Sequence, residues 1–101
     1  MKIDFAKHGP IISEKETGEE IYNEIKKSIS VDNSKIEIDM SKTKTMATYC
    51  AKQIFGRLYL ELGAEAFFDK MILTNASNEM KLIIKMGIQN ALEELEESVV
   101  S

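Results

Sequence analysis

Hydrophobic and polar residues alternate along the chain in two rhythms, and each change of rhythm marks an element. Ile3 and Phe5 alternate with Lys2 and Asp4, the two-residue period of a short strand with one buried face. Gly9-Pro10 breaks that pattern. Ser13-Glu14-Lys15-Glu16 has the form of a capping box, in which the serine hydroxyl takes the backbone N–H three residues on and Glu16 reaches back. The spacing then predicts a helix to about Ser30, with Ile21, Tyr22, Ile25 and Ile29 on one stripe and a solvated face of glutamates and lysines.

Asp32-Asn33-Ser34 reads as a turn, after which Ile36, Ile38 and Met40 alternate with Lys35, Glu37 and Asp39 as a second strand. Its polar alternates suggest a sheet with one face not deeply covered. Lys42 to Thr45, polar and threonine-rich, either extends this strand or forms the loop beyond it. From about Thr48 the period becomes helical, with Ala51, Ile54, Phe55, Leu58 and Leu62 on one stripe and Gly63 as the C-cap. Ala66 to Thr74 reads as a loop leading into a third strand centred on Met71 to Thr74. The run Asn75-Ala76-Ser77-Asn78 offers N-caps for a last helix to about Glu96, burying Met80, Ile83, Ile84, Ile88, Ala91, Leu92 and Leu95. Strand and helix thus alternate three times, which predicts an α/β fold: a small sheet of three to four mostly parallel strands packed with about three helices.

At 101 residues, 44% of them hydrophobic, the expected organisation is a single domain over 1–101. The net charge of -4, with Arg57 the only arginine, argues against nucleic acid and against an anionic membrane surface as partner. A single cysteine, Cys50, allows neither an internal disulfide nor a multi-cysteine zinc site, and the chain start lacks the apolar core of a signal peptide. A cytoplasmic location is therefore expected. The Asn75-Ala76-Ser77 sequon carries no meaning without secretion.

The search for chemistry returns little. No glycine-rich phosphate-binding motif occurs, so nucleotide enzymes of the usual kinds are disfavoured. His8 is the only histidine and reads as an exposed loop residue rather than a general base. Asp39, at a strand C-terminus, reads as structural without a partner acid or histidine. Cys50 reads as a small buried residue, although a helix N-terminus would lower its pKa. Glu93, Glu94, Glu96 and Glu97 read as an acidic, frayed helix end, without calcium-loop spacing. The six methionines read as core fillers. No cofactor or metal is expected, and the expectation is that the chain is not an enzyme.

The stretch from Ile36 to Gly56 resembles the strand, loop and helix of STAS domains, the sulfate transporter and anti-sigma factor antagonist fold. It is most similar to the bacterial STAS-like family of unknown function, through Asp39-x-Ser41 and Phe55-Gly56. Phe68 to Asn75 before a capped helix, and Ser13 with Gly18 in the first helix, extend the resemblance over nearly the whole chain. In regulatory STAS domains a serine or threonine at the start of the helix after this strand is phosphorylated by a GHKL-type ATPase, and the charge breaks the complex. The added phosphate carries about -1.5 to -2 charges. The Asp-Ser-Ser-Gly loop of those domains corresponds here to Ala47, Thr48, Tyr49 and Cys50, so the acid is lost and Thr48 is the remaining candidate acceptor. Given that substituted motif, an interaction surface independent of phosphorylation is the favoured reading, and Thr48 has a structural alternative as the N-cap of the second helix.

The resemblance implies a regulatory protein-interaction module rather than an enzyme. The expected contact surface is Lys42, Lys44, Thr45, Thr48, Tyr49, Lys52, Gln53 and Arg57, with Tyr59 on the same helix, and the expected partner is a protein such as a GHKL-type ATPase. Two other readings stay open at this point: a small-molecule or nucleotide site at the strand C-termini bordered by Asp39, Thr45 and Asn75, and an enzyme centred on His8 and Asp39. Homodimerisation through the sheet edge or the second helix is compatible with the first two readings.

Overall fold

The computed structural model describes residues 2–31 and 35–100, with no side-chain description for Val31 or beyond Glu97. The turn expected at Asp32-Asn33-Ser34 lies outside the described residues. The described residues form five strands: β1 (Lys2–Asp4), β2 (Ile11–Ile12), β3 (Ile36–Asp39), β4 (Thr45–Met46) and β5 (Met71–Thr74). Among the described residues there are also four α-helices and a single 3-10 turn at Phe5–His8. α1 is Lys15–Val31, α3 is Ala64–Lys70 and α4 is Asn78–Val100. The second, α2 (48–62), is continuous through three segments: Thr48–Ala51, a π turn at Lys52–Gly56, and Arg57–Leu62.

The main sheet has the order β1-β3-β5, all parallel, with Ile3 beside Ile38 and Ile38 beside Leu73 in register. Its core face is the apolar alternate set read from the sequence: Ile3, Ile36, Ile38 and Met71 are buried. The other face carries Lys2, Glu37 and Asp39, where Lys2 Nζ lies 3.9 Å from Glu37 and 3.7 Å from Asp39. The expected incompletely covered face is therefore present. β2 and β4 form a separate parallel pair, in which Lys44 N–H and Thr45 N–H donate to Pro10 C=O at 2.7 and 3.3 Å and Ala47 N–H donates to Ile12 C=O at 2.8 Å. Lys42 to Thr45 is thus a loop that ends in a strand of this second sheet.

Several local expectations change. Gly18 N–H donates to Glu14 C=O at 3.0 Å, so α1 begins after Glu14 and Ser13 stands one position too early to cap it. Ala66 to Lys70 is not loop but the body of α3, whose Phe67 is buried. Ser77 is the cap that α4 uses, its Oγ accepting Met80 N–H at 3.0 Å. Leu95 is exposed rather than buried. Among the methionines, Met40, Met46, Met71 and Met80 fill the core as expected, but Met86 is exposed.

α2 packs on α4 through a close backbone approach at Gly87 and Gly56. A Cβ on Gly87 would lie 2.6 Å from the Ala51 carbonyl carbon and from Lys52 N, and one on Gly56 would lie 2.8 Å from Ala91 Cβ. Only hydrogen at those positions lets the helices meet. The π turn sits at this contact, with Arg57 N–H bonded to Lys52 C=O five residues back.

Candidate functional site

α2 is the floor of a groove of about 540 Å³ whose walls are α1 and the last turns of α4. Tyr49, Lys52, Gln53, Arg57 and Leu60 project from the floor, Lys15 and Glu19 from α1, and Ala91, Glu94 and Leu95 from α4. The spacing of the floor residues along α2 keeps them on one helical face. Tyr49 is 54% exposed, and Leu60 and Leu95 are also exposed, so the groove offers apolar surface to solvent.

Charged pairs frame it. Arg57 bonds Glu19 across to α1 at 3.1 Å and lies with its guanidinium carbon 3.8 Å above the Tyr22 ring. Lys52 pairs with Glu94 across to α4. Tyr22 O–H donates to Glu61, and Lys26 reaches the same carboxylate at 3.4 Å. Burial and then that bond push the Tyr22 hydroxyl pKa up, while the same bond holds Glu61 below the usual carboxylate range. Gln53 Nε2 donates to Lys15 C=O at 2.9 Å, and its amide lies over Gly18, where a Cβ would collide with Oε1.

Four of the residues expected at a contact surface, Tyr49, Lys52, Gln53 and Arg57, thus line one groove. Lys42 and Lys44 are exposed on the loop before β4, and Thr45 is half-buried within it. Thr48 is half-buried as the first residue of α2; Ala47 occupies the cap position, so Thr48 is not the N-cap. Tyr59 points to α3, its ring 5.5 Å from Phe67 and 6.1 Å from Phe68. Leu60, Leu95 and the α1 wall were not anticipated. The signal for α1 lay in Gly18, a glycine inside a helical pattern that marks close approach by another element.

The strand C-termini are closed by bonds within the chain. Asp39 Oδ1 accepts Ser41 N–H at 2.9 Å and Asn75 Nδ2–H at 3.1 Å, and these contacts, Ser41 first, lower its pKa to about 2. Asn75 adopts a left-handed backbone with φ 58°, which asparagine tolerates. Asp39, Thr45 and Asn75 line neither the groove nor the two further clefts, beside α3 and between β1 and α1. His8 is not the exposed residue expected: its side chain is 10% exposed, edge-on to Phe5, with Nε2 3.9 Å from Glu24 Oε1. Its carboxylate neighbour is Glu24 on α1, while Asp39 is engaged by Ser41, Asn75 and Lys2. Cys50 is buried, its Sγ–H directed at Glu14 C=O at 3.7 Å, and burial pushes its pKa up. Among the described residues no cluster of three or more His, Cys, Asp or Glu could hold a metal, and no helix is long and apolar enough to cross a membrane.

No curated protein and no solved structure gives a match. The model of a family described as the STAS-like domain of unknown function (DUF4325) matches residues 17–81, from the first turn of α1 through the whole of α2 and β5, and the chain therefore belongs to this STAS-like family.

Proposed function

We propose that this domain is a non-enzymatic regulatory module that binds a protein partner through the loop 42–47 and the exposed face of α2, in the manner of anti-sigma factor antagonists. The observation that carries the reading is the convergence of Tyr49, Lys52, Gln53 and Arg57 on one groove with exposed Leu60 and Leu95. A groove that mixes exposed apolar and aromatic side chains (Tyr49, Leu60, Leu95) with an arginine and paired charges has the composition of a protein-binding surface, where aromatic and arginine side chains act as anchors. A GHKL-type ATPase is the partner class that the STAS resemblance suggests. Thr48, at the start of α2 and next to exposed Tyr49, is the acceptor position that phosphorylation would use.

The test is affinity capture from the native cell with the wild type, Tyr49→Ala, Thr48→Glu and the charge reversal Lys52→Glu/Arg57→Glu, each checked for an unchanged thermal midpoint. The expected outcome is loss of the same partner from all three variants. Retention of every wild-type partner by all of them overturns the surface.

A further inference from the structure

We propose that the open edge of β5 pairs with the same edge of a second copy, forming a two-fold dimer with one continuous six-stranded sheet. β5 is the last strand of the order β1-β3-β5 and has β3 on one side only. Thr74 C=O accepts Met40 N–H at 2.9 Å, so the Thr74 peptide groups turn toward β3. By the two-residue alternation those of Ile72 do the same, while the N–H and C=O of Leu73 turn to the open edge. One donor and one acceptor on a single residue are the set that a two-fold axis closes: in antiparallel pairing about Leu73, each copy donates its N–H to the other's C=O. In that register Ile72 stands beside Thr74 of the second copy on the open face, and the core-facing residues remain core-facing.

Charge separates this edge from the opposite one. β1 carries exposed Lys2 and Asp4, the kind of residues that keep a sheet edge from pairing. β5 carries none, and the run Met71 to Ser77 is uncharged in a chain that is 30% charged with a net charge of -4. Two acidic copies therefore meet most easily here. Ile72 is 41% exposed, and Phe68, just before the strand, is 68% exposed. Phe68 is already held edge-on by Phe67 at 5.4 Å and Tyr59 at 6.1 Å, which limits the side-chain freedom it would lose on burial. This edge is separate from the α2 groove, and the inference does not depend on partner docking there.

Sedimentation velocity from micromolar to near-millimolar protein tests it, with amide exchange read in parallel. The expected result is a mass rising from 11.4 kDa toward twice that value, with exchange at Leu73 slowing as concentration rises. Ile72→Lys should weaken association by about tenfold or more without lowering the thermal midpoint at the lowest protein concentration, where the wild type is monomeric. Ile11→Lys, at an isoleucine still more exposed but on β2, should leave association unchanged. A mass that stays at the monomer value throughout overturns the inference, as does a dimer that survives Ile72→Lys or is lost in Ile11→Lys.

Discussion

Asp39 joins the end of β3 to the residues after β5 through one carboxylate oxygen that accepts from both Ser41 and Asn75. Its pKa, lowered to about 2 from 3.8, makes this latch dependent on pH. Because the folded value lies below the unfolded one, the stabilisation is complete above about pH 4 and is lost as pH falls toward 2, where the unfolded chain takes up the proton first. Thermal midpoints measured across pH 2 to 5 should fall more steeply for the wild type than for Asp39→Asn, and equal slopes would remove Asp39 from the account. The sequence placed Asp39 correctly at a strand end and assigned it a structural role, since no second acid or histidine accompanied it. His8 was misplaced for a converse reason. Burial of a lone polar residue after a strand depends on what packs over it, here Phe5 and Glu24, and Glu24 comes from a helix sixteen residues further on.

At the level of elements, two of the glycines with close neighbours, Gly87 and Gly18, are expected to behave differently on substitution. At Gly87 the atoms that a methyl would meet are the backbone of Ala51 and Lys52, which cannot yield without separating α2 from α4. Gly87→Ala should therefore cost about 1–3 kcal/mol of overpacking, against a gain of about 1 kcal/mol in helix propensity, and chemical denaturation should register a net loss. At Gly18 the obstacle is the end of the flexible Gln53 side chain. Gly18→Ala should leave stability within about 1 kcal/mol of the wild type, because the helix gain offsets the lost Gln53–Lys15 bond, while altering the groove floor. A large loss in Gly18→Ala would show that Gln53 cannot move aside.

Periodicity made the long amphipathic helices and the three core strands legible. The expected helix after Thr48, its stripe of Ala51, Ile54, Phe55 and Leu58, and its stop at Gly63 all match the observed α2. Two kinds of element escaped. α3 is only seven residues long, too short for its period to stand out from the strand that follows it. β2 and β4 are two residues each and exist only because they pair with one another across the fold.

For the whole molecule, the main sheet and its helices form one core that Ile12 and Met46 of the small second sheet join, and the loop 42–47 is held by that second sheet. The Lys44, Thr45 and Ala47 amides donate to Pro10 and Ile12 and the Thr43 amide donates to Met40, and a ladder of two residues per strand is expected to open more readily than the main sheet. Amide exchange should accordingly be faster at Lys44, Thr45 and Ala47 than at Ile38, and equal protection would mean that the two sheets open together.

The β2–β4 ladder also ties the position of the loop 42–47 to residues outside it. Pro10 has no N–H of its own and presents its carbonyl to two successive amides of the loop, so a substitution that repositions this single oxygen moves Lys44 and Thr45 together. Residues 10–12, ahead of the region 17–81 that matches the family, therefore help set the position of the loop proposed above as a contact surface.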